Sequence, residues 1–312
     1  MDNYIYFITH AEPKKNISFG HFFRCLEIAK FLRKKGFNCF FVLENPNYVR
    51  EILKKNKFKS LNLNKSFFNK FKIDKSIIIF DKFKYIKRQF KYFELAKKII
   101  IFDDFNKYNN SKKYLRITTN LGYLKYSNNH VNSANFRLSK FLNMKLNSKK
   151  IKKNNFLIFL GGSDIKGNFK KIINLMDREN INKKYKFNFY LGKGIKNKYK
   201  NHNNFYFHKN DEKTLKNLIN THNNIITNGG NTMLEMVVEK KKCLVFPSNY
   251  QEILNAKFLL KKKIIQIYDN KIPFKANILK SVNLNTKNIK NKNLRLNVKY
   301  IKSDFKKLFR LN

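Results

Sequence analysis

The sequence predicts an α/β protein of two doubly wound domains with a cleft between them, and three observations carry the prediction. Short apolar runs recur with helical stretches between them, the runs are continuous rather than alternating, and the pattern occurs twice around a polar break. Continuous apolar strands separated by helices belong to parallel sheets covered on both faces. At 312 residues the chain has enough Phe, Ile and Leu for two buried cores.

In the first half the strands are expected at Tyr4–Thr9, Asn38–Leu43, Ser76–Phe80 and Ile99–Phe102. After the first strand and a longer loop, SFGHFFRCLEIAKFLRKKG opens a helix with Leu26, Ala29 and Leu32 on one face and Gly36 as its stop. Asp81 ends one strand and Asp103-Asp104 another. The segment NSKKIKKNN, residues 147–155, has no apolar period and reads as a linker, so the domains are set at 1–149 and 150–312. The second half offers strands at Phe156–Leu160, Lys186–Leu191, Asn224–Thr227, Cys243–Phe246 and Ile264–Tyr268. Two glycine pairs, Gly161-Gly162 and Gly229-Gly230, each follow an apolar run, in a chain with only ten glycines. In doubly wound sheets ligands collect at the carboxyl ends of strands, where all these loops fall.

The formal net charge of +48 would suit nucleic acid or an anionic surface. The basic residues, however, run along the whole length without an isolated tail, as A- and T-rich coding would produce, and no RRM-type signature is present. A noncatalytic binder driven by charge would show affinity that falls steeply with salt and ignores nucleotide. The three cysteines, Cys25, Cys39 and Cys243, lack metal-ligand spacing and read as core residues in a reducing compartment. No apolar run approaches a membrane span, and the start of the chain lacks a signal h-region. The expected location is the cytoplasm.

Three places carry chemistry. His21 falls in the first turn of its helix, where the dipole disfavours imidazolium, so a neutral ring could accept a proton; a ring that only packs there is the competing reading. Gly229-Gly230 supply a permissive loop before a helix, and Asn231 and Thr232 can cap that helix or donate to phosphate oxygens. Glu235 lies one turn further in, either accepting from a ribose diol or closing a Thr232-x-x-Glu235 capping box. Asp103 and Asp104 point in opposite directions at a strand end, which argues against a metal pair. No P-loop or G-x-G-x-x-G is present, and the remaining histidines lack ligand spacing.

The fragments F-G-H-F-F-R-C-L-E-I-A, I-I-F-D-K-F, I-I-F-D-D, L-G-G-S-D-I-K-G-N, N-G-G-N-T-M-L-E-M and Y-Q-E-I-L-N-A, in this order, resemble the UDP-sugar hydrolase of pseudaminic acid biosynthesis. That family is similar in turn to the peptidoglycan N-acetylglucosaminyltransferase. The resemblance implies the glycosyltransferase-B fold, two Rossmann-like domains facing a cleft. It also implies release of UDP from a 2,4-diacetamido-2,4,6-trideoxy sugar by water attack at the anomeric carbon, with no metal and no cofactor. His21 matches the general base and Gly20 the residue that lets the loop approach substrate. Gly229, Gly230, Asn231 and Thr232 match the diphosphate loop, Glu235 the ribose contact, and Gln251 the glutamine beside the sugar. Asp81 and Asp104 match acidic strand-end positions, and Gly161, Gly162 and Ser163 complete the substrate-binding set.

The chain departs from the family at Ile8-Thr9-His10, where Arg-x-Asp is usual, at Ser18, at Phe83 and at Tyr250. Most departures lie in the sugar-facing half, so transfer to a glycan or lipid acceptor is the alternative activity. The expected partner is a UDP-sugar, bound by a monomer without nucleic acid or a transmembrane segment and with at most weak attraction to anionic surfaces.

Overall fold

A computed structural model describes residues 4–11, 20–63, 73–82, 93–104, 114–121, 130–134, 154–161, 164, 166–192, 201, 203–208 and 211–286. The chain divides into two compact units. Described residues up to 134 belong to the first and those from 154 to the second, so the expected boundary at 149/150 lies outside the described residues.

The first unit is a seven-stranded, wholly parallel sheet. Its strands are β1 (Tyr4–Thr9), β2 (Asn38–Leu43), β3 (Lys59–Asn62), β4 (Ile77–Asp81), β5 (Lys98–Phe102), β6 (Tyr114–Thr118) and β7 (His130–Asn132). They stand in the order β3-β2-β1-β4-β5-β6-β7, so the winding reverses between β1 and β4. Helix α1 (Gly20–Arg33) buries Phe22, Cys25, Leu26, Ile28, Ala29 and Leu32. Gly36 ends it as predicted: its φ of +86° suits a residue without Cβ, and Phe37 N donates back to Leu32 O at 3.2 Å. A short helix, α2 (Arg50–Lys55), follows β2.

The second unit has six parallel strands, β8 (Asn155–Ile158), β9 (Lys186–Tyr190), β10 (Phe205–His208), β11 (Asn224–Thr227), β12 (Lys242–Val245) and β13 (Gln266–Ile267). Their order, β10-β9-β8-β11-β12-β13, repeats the first sheet's logic, with reversal between β8 and β11. The helices are α3 (Asn168–Arg178), α4 (Glu212–Thr221), α5 (Asn231–Val238), α6 (Tyr250–Lys261) and α7 (Phe274–Val282). One core packs Phe156, Ile158, Ile226, Leu244 and Phe246 against Phe169 and Ile172 of α3 and Phe274 and Ile278 of α7. Each such side chain, fully buried, contributes on the order of 1.5–3 kcal/mol.

Four strands, β3, β6, β7 and β10, lie outside the nine expected. β6 explains itself: YLRIT carries Arg116 in mid-strand, which breaks the apolar run, yet Arg116 is buried beside Asp103 with Nε 3.2 Å from Oδ2. Strand ends elsewhere shift by a residue or two, most at β13, where only Gln266–Ile267 pair. Among the described residues, no helix is long and apolar enough to cross a membrane.

Candidate active site

In both units the winding reverses where the sequence places chemistry, and open α/β sheets bind ligands at such points. In the first unit the strand ends of β1 and β4 meet the start of α1. Gly20 is the first residue of that helix rather than part of a loop, and His21 is its second. The His21 side chain is 17% exposed, and its Nδ1 lies 2.6 Å from Asp81 Oδ1. A carboxylate at that distance fixes the proton on Nδ1 and leaves Nε2 as the basic nitrogen.

Asp81 is held in turn by Arg24, one helical turn after His21. Arg24 Nε donates to Asp81 Oδ2 and Nη2 to Oδ1, both at 2.7 Å, a bidentate pair in a buried setting. Burial alone would raise the Asp81 carboxyl, but the guanidinium and then His21 outweigh it and hold it well below the carboxylate range. Arg24 Nη1 reaches Thr119 Oγ1 at 3.0 Å and stands 3.6 Å from Asp104 Oδ2, while the guanidinium lies over Phe102, 4.4 Å from the ring centre. Arg24 Nη2 also approaches His21 Nδ1 at 3.3 Å, but two donors face each other there, so Asp81 is the partner that sets the tautomer.

The two aspartates expected to meet substrate thus hold protein groups. Both Asp81 oxygens carry the pairs above, and Asp104 accepts from Thr119 N at 2.6 Å and from Thr119 Oγ1 at 2.8 Å. Asp103 points instead to Arg116, so the adjacent pair diverges as strand geometry requires. Arg24 and Thr119 were not legible as site residues. The one available signal was a basic residue at position i+3 from His21 among residues that face the core.

Beside this triad stand residues from three strand ends. The His10 ring, just past β1, is 6.4 Å from the His21 ring, edge to face. Lys82, just past β4, is buried and places Nζ 2.5 Å from Oε1 of Glu44, just past β2. Burial first, then Lys82 and His21, bring the His10 imidazole down to about 4. Its ring is neutral at pH 7.

In the second unit the two glycine loops meet. Gly161, with φ +84°, leaves room after β8 such that a Cβ there would lie 3.4 Å from Thr232 Oγ1 and 3.7 Å from Asn228 Nδ2. Gly162 and Ser163 lie outside the described residues. Gly229 is required for a different reason than an open loop: a Cβ on it would meet Glu252 Cβ and O at 2.7 Å. Its N–H donates to Glu252 Oε2 at 3.3 Å, and the Gly230 N–H to Asn228 Oδ1 at 3.4 Å. Both glycine donors therefore have acceptors within the protein. Anion-binding capacity falls instead to the first turn of α5, whose N–H groups have no partner within the helix.

The capping box that was one of the two readings of Thr232-x-x-Glu235 is not formed. Gly230 occupies the N-cap of α5 without a side-chain bond, Asn231 and Thr232 are already helical, and Glu235 is buried at 5% exposure. The cap pattern occurs one helix later. Asn249 Oδ1 accepts from Glu252 N at 3.0 Å at the start of α6, while Glu252 Oε2 reaches Ser248 N at 2.7 Å. Glu252 thereby ties the β12–α6 loop to the glycine loop. In the same turn Gln251 carries a buried Nε2 without a hydrogen-bond partner, and Tyr250 is 70% exposed.

No family model matches the chain, and no curated protein matches it. Solved structures do. The glycosyltransferase of kitacinnamycin is 11% identical with a TM-score of 0.55, covering 90% of this chain and 90% of that one. MurG of Acinetobacter baumannii is 13% identical with a TM-score of 0.52, over 91% of this chain and 92% of its own. UGT89C1 of Arabidopsis thaliana, complexed with UDP-L-rhamnose, is 10% identical with a TM-score of 0.51, over 92% and 91%. With two doubly wound parallel sheets and likeness to these enzymes along nearly the whole chain, the protein has the glycosyltransferase-B fold, two Rossmann-like domains in one polypeptide.

Proposed function

We propose that the protein transfers an amino sugar from UDP to the hydroxyl of an acceptor, with His21 as general base. The observation that carries this reading is the Arg24–Asp81–His21 chain, which leaves His21 Nε2 as the basic nitrogen at the reversal point of the first sheet. The hydroxyl proton passes to Nε2, the oxygen bonds to the anomeric carbon, and the bond from that carbon to the diphosphate oxygen breaks with its electron pair leaving on UDP. Asp81 stabilises the imidazolium that results. A positioned base of this kind contributes about 10²–10⁴-fold.

In the second unit, the N-terminal turn of α5 at Asn231 and Thr232 would receive the diphosphate, helped by the helix dipole, with Gly161 leaving space beside Thr232. Glu235 is assigned to the ribose and Gln251, with its uncommitted amide nitrogen, to the sugar. Support for UDP as the carrier comes from the ordered fragments, from the fold, and from a neighbour of that fold that holds UDP-L-rhamnose.

The second reading, hydrolysis with water replacing the hydroxyl, is favoured by the resemblance of those fragments to the UDP-sugar hydrolase of pseudaminic acid biosynthesis. The full chain is incubated with UDP-N-acetylglucosamine and with UDP-2,4-diacetamido-2,4,6-trideoxy sugars, each with and without glycan and lipid-linked acceptors, and UDP release is followed. Release that requires acceptor and yields a larger glycan supports transfer. Release without acceptor, yielding free sugar, selects hydrolysis, and an absence of both UDP release and UDP binding refutes either reading.

A further inference from the structure

His10, Lys82 and Glu44 come from three different strand ends; the His10 ring stands 6.4 Å from the His21 ring, and the paired charges of Lys82 and Glu44 bear on the His10 imidazole. The chain as a whole is strongly basic, with 68 Lys and Arg against 20 Asp and Glu. This corner is not. Lys82 is matched by Glu44 at 2.5 Å and Arg24 by Asp81 at 2.7 Å, with Asp104 a third carboxylate 3.6 Å from Arg24. Random scatter of lysines would leave a positive pocket; among the described residues of this corner, the two buried cations, Lys82 and Arg24, each have a carboxylate.

The same residues remain equipped to bind. Lys82 offers ammonium donors, the Glu44 side chain is 39% exposed and offers acceptor oxygens, and a neutral imidazole offers one donor and one acceptor. Donors and acceptors together, without net positive charge among the described residues of this corner, suit hydroxyl and amide groups. An anionic group entering the corner would face the carboxylates of Glu44 and Asp81, whose charges are already matched by Lys82 and Arg24.

We propose that His10, Lys82 and Glu44 form a subsite beside His21 that binds an uncharged, hydroxyl- and amide-bearing sugar and disfavours anionic ones. The proposal rests on His21 being the reacting base, since proximity to its ring gives the subsite its role. It goes further in naming the residues that choose what is presented to that base. His10 stands where the resembled family has the Asp of Arg-x-Asp, so the selection belongs to this chain's own residues.

The test follows the ring C–H signals of the six histidines by NMR in the full chain, with His10 and His21 assigned from H10Q and H21Q. N-acetylglucosamine is titrated as the neutral probe and glucuronate as the anionic one, each at two salt concentrations. The expected result is that N-acetylglucosamine shifts the His10 and His21 signals at either salt, while glucuronate leaves them in place. H10F should weaken the neutral sugar roughly tenfold, the loss expected for one or two hydrogen bonds. E44Q, at a half-exposed position that tolerates the change, should leave Lys82 unbalanced and make the glucuronate response appear.

Equal response to both sugars in the wild type, or an E44Q variant indistinguishable from it, overturns the proposal. So does a neutral sugar that shifts neither ring. A parallel titration with UDP keeps the two readings apart. UDP binding without a sugar response sinks the subsite alone, and a sugar response without UDP binding sinks the UDP-sugar reading alone.

Discussion

Replacing Asp81 by Asn removes one charge from the centre of the first unit while keeping the shape of the side chain. Asp81 Oδ1 now accepts from His21 Nδ1 at 2.6 Å and from Arg24 Nη2 at 2.7 Å, and Oδ2 accepts from Arg24 Nε at 2.7 Å. An amide has one acceptor oxygen, so the three donors that meet the carboxylate cannot all be served, and in the orientation that keeps the oxygen on Arg24 Nε the NH₂ group takes the Oδ1 position and faces His21. His21 must then accept at Nδ1 and carry its proton on Nε2. The base is lost without a change of position. Turnover should fall by about 10²–10⁴-fold, the range for a positioned base.

Stability responds as well, because Arg24 keeps its charge in a buried site. Breaking a buried ion pair costs roughly 3–5 kcal/mol. Asp104 remains 3.6 Å from Arg24 and Thr119 remains bonded to it, which places the loss near the lower end, about 3 kcal/mol. That is a large part of a usual 5–15 kcal/mol, but the variant should fold at 25 °C. The assay pairs thermal unfolding with single-turnover UDP release from the best UDP-amino sugar, and calorimetry with UDP serves as the control for the second unit. A folded Asp81→Asn protein that releases UDP within a few fold of the wild-type rate would refute the tautomer argument.

Two further outcomes are expected. Gly229→Ala places its Cβ 2.7 Å from both Glu252 Cβ and the Glu252 backbone oxygen, so chemical denaturation should show a loss of about 1–3 kcal/mol; Gly230→Ala meets Glu252 Oε1 at 3.1 Å, a side-chain end rather than backbone, with Asn228 at ordinary contact distance, and should cost less than about 1 kcal/mol. If the two variants unfold alike, close packing of Glu252 is not what demands glycine at position 229. For pH, the His10 imidazole titrates near 4 in the folded chain and near its ordinary 6.5 when unfolded, so the unfolded chain takes up the proton first and stability declines as pH falls from about 6.5 to about 4. The full shift corresponds to about 3.4 kcal/mol, and partial exposure of the ring reduces it to roughly 1–2 kcal/mol. His10→Gln should remove that slope from unfolding curves taken across the window, and an unchanged slope would assign it to other groups.

The architecture was legible because parallel strands write themselves as unbroken apolar runs. β1, β2 and β11 were expected between the residues that now bound them, and the helix opened by Gly20-His21 stops at Gly36. The strands missed were those whose sequence hides burial. Arg116 interrupts β6 with a charge that a partner just past the neighbouring strand, Asp103, makes tolerable, and sequence spacing does not display such a partner.

The same limit governed the site. His21 could be singled out from its place in a first turn, and the glycine pairs from their scarcity, since both are local properties. Asp81 and Asp104 were singled out as strand-end carboxylates and assigned to substrate; the protein groups that engage them, Arg24 and Thr119, lie 57 and 15 residues away along the chain and are not displayed by local sequence. Gly229 carried the same ambiguity: a glycine that admits a ligand and a glycine that admits a neighbouring helix look identical in sequence. Glu252, 23 residues on, is the neighbouring-helix residue that local sequence does not display. Local signals therefore marked where the chemistry gathers, while the division of labour between residues that touch substrate and residues that hold them depended on contacts closed by the sheet. In this fold those contacts form where the winding reverses, which is why one buried arginine can orient His21, the proposed base, through a carboxylate on another strand.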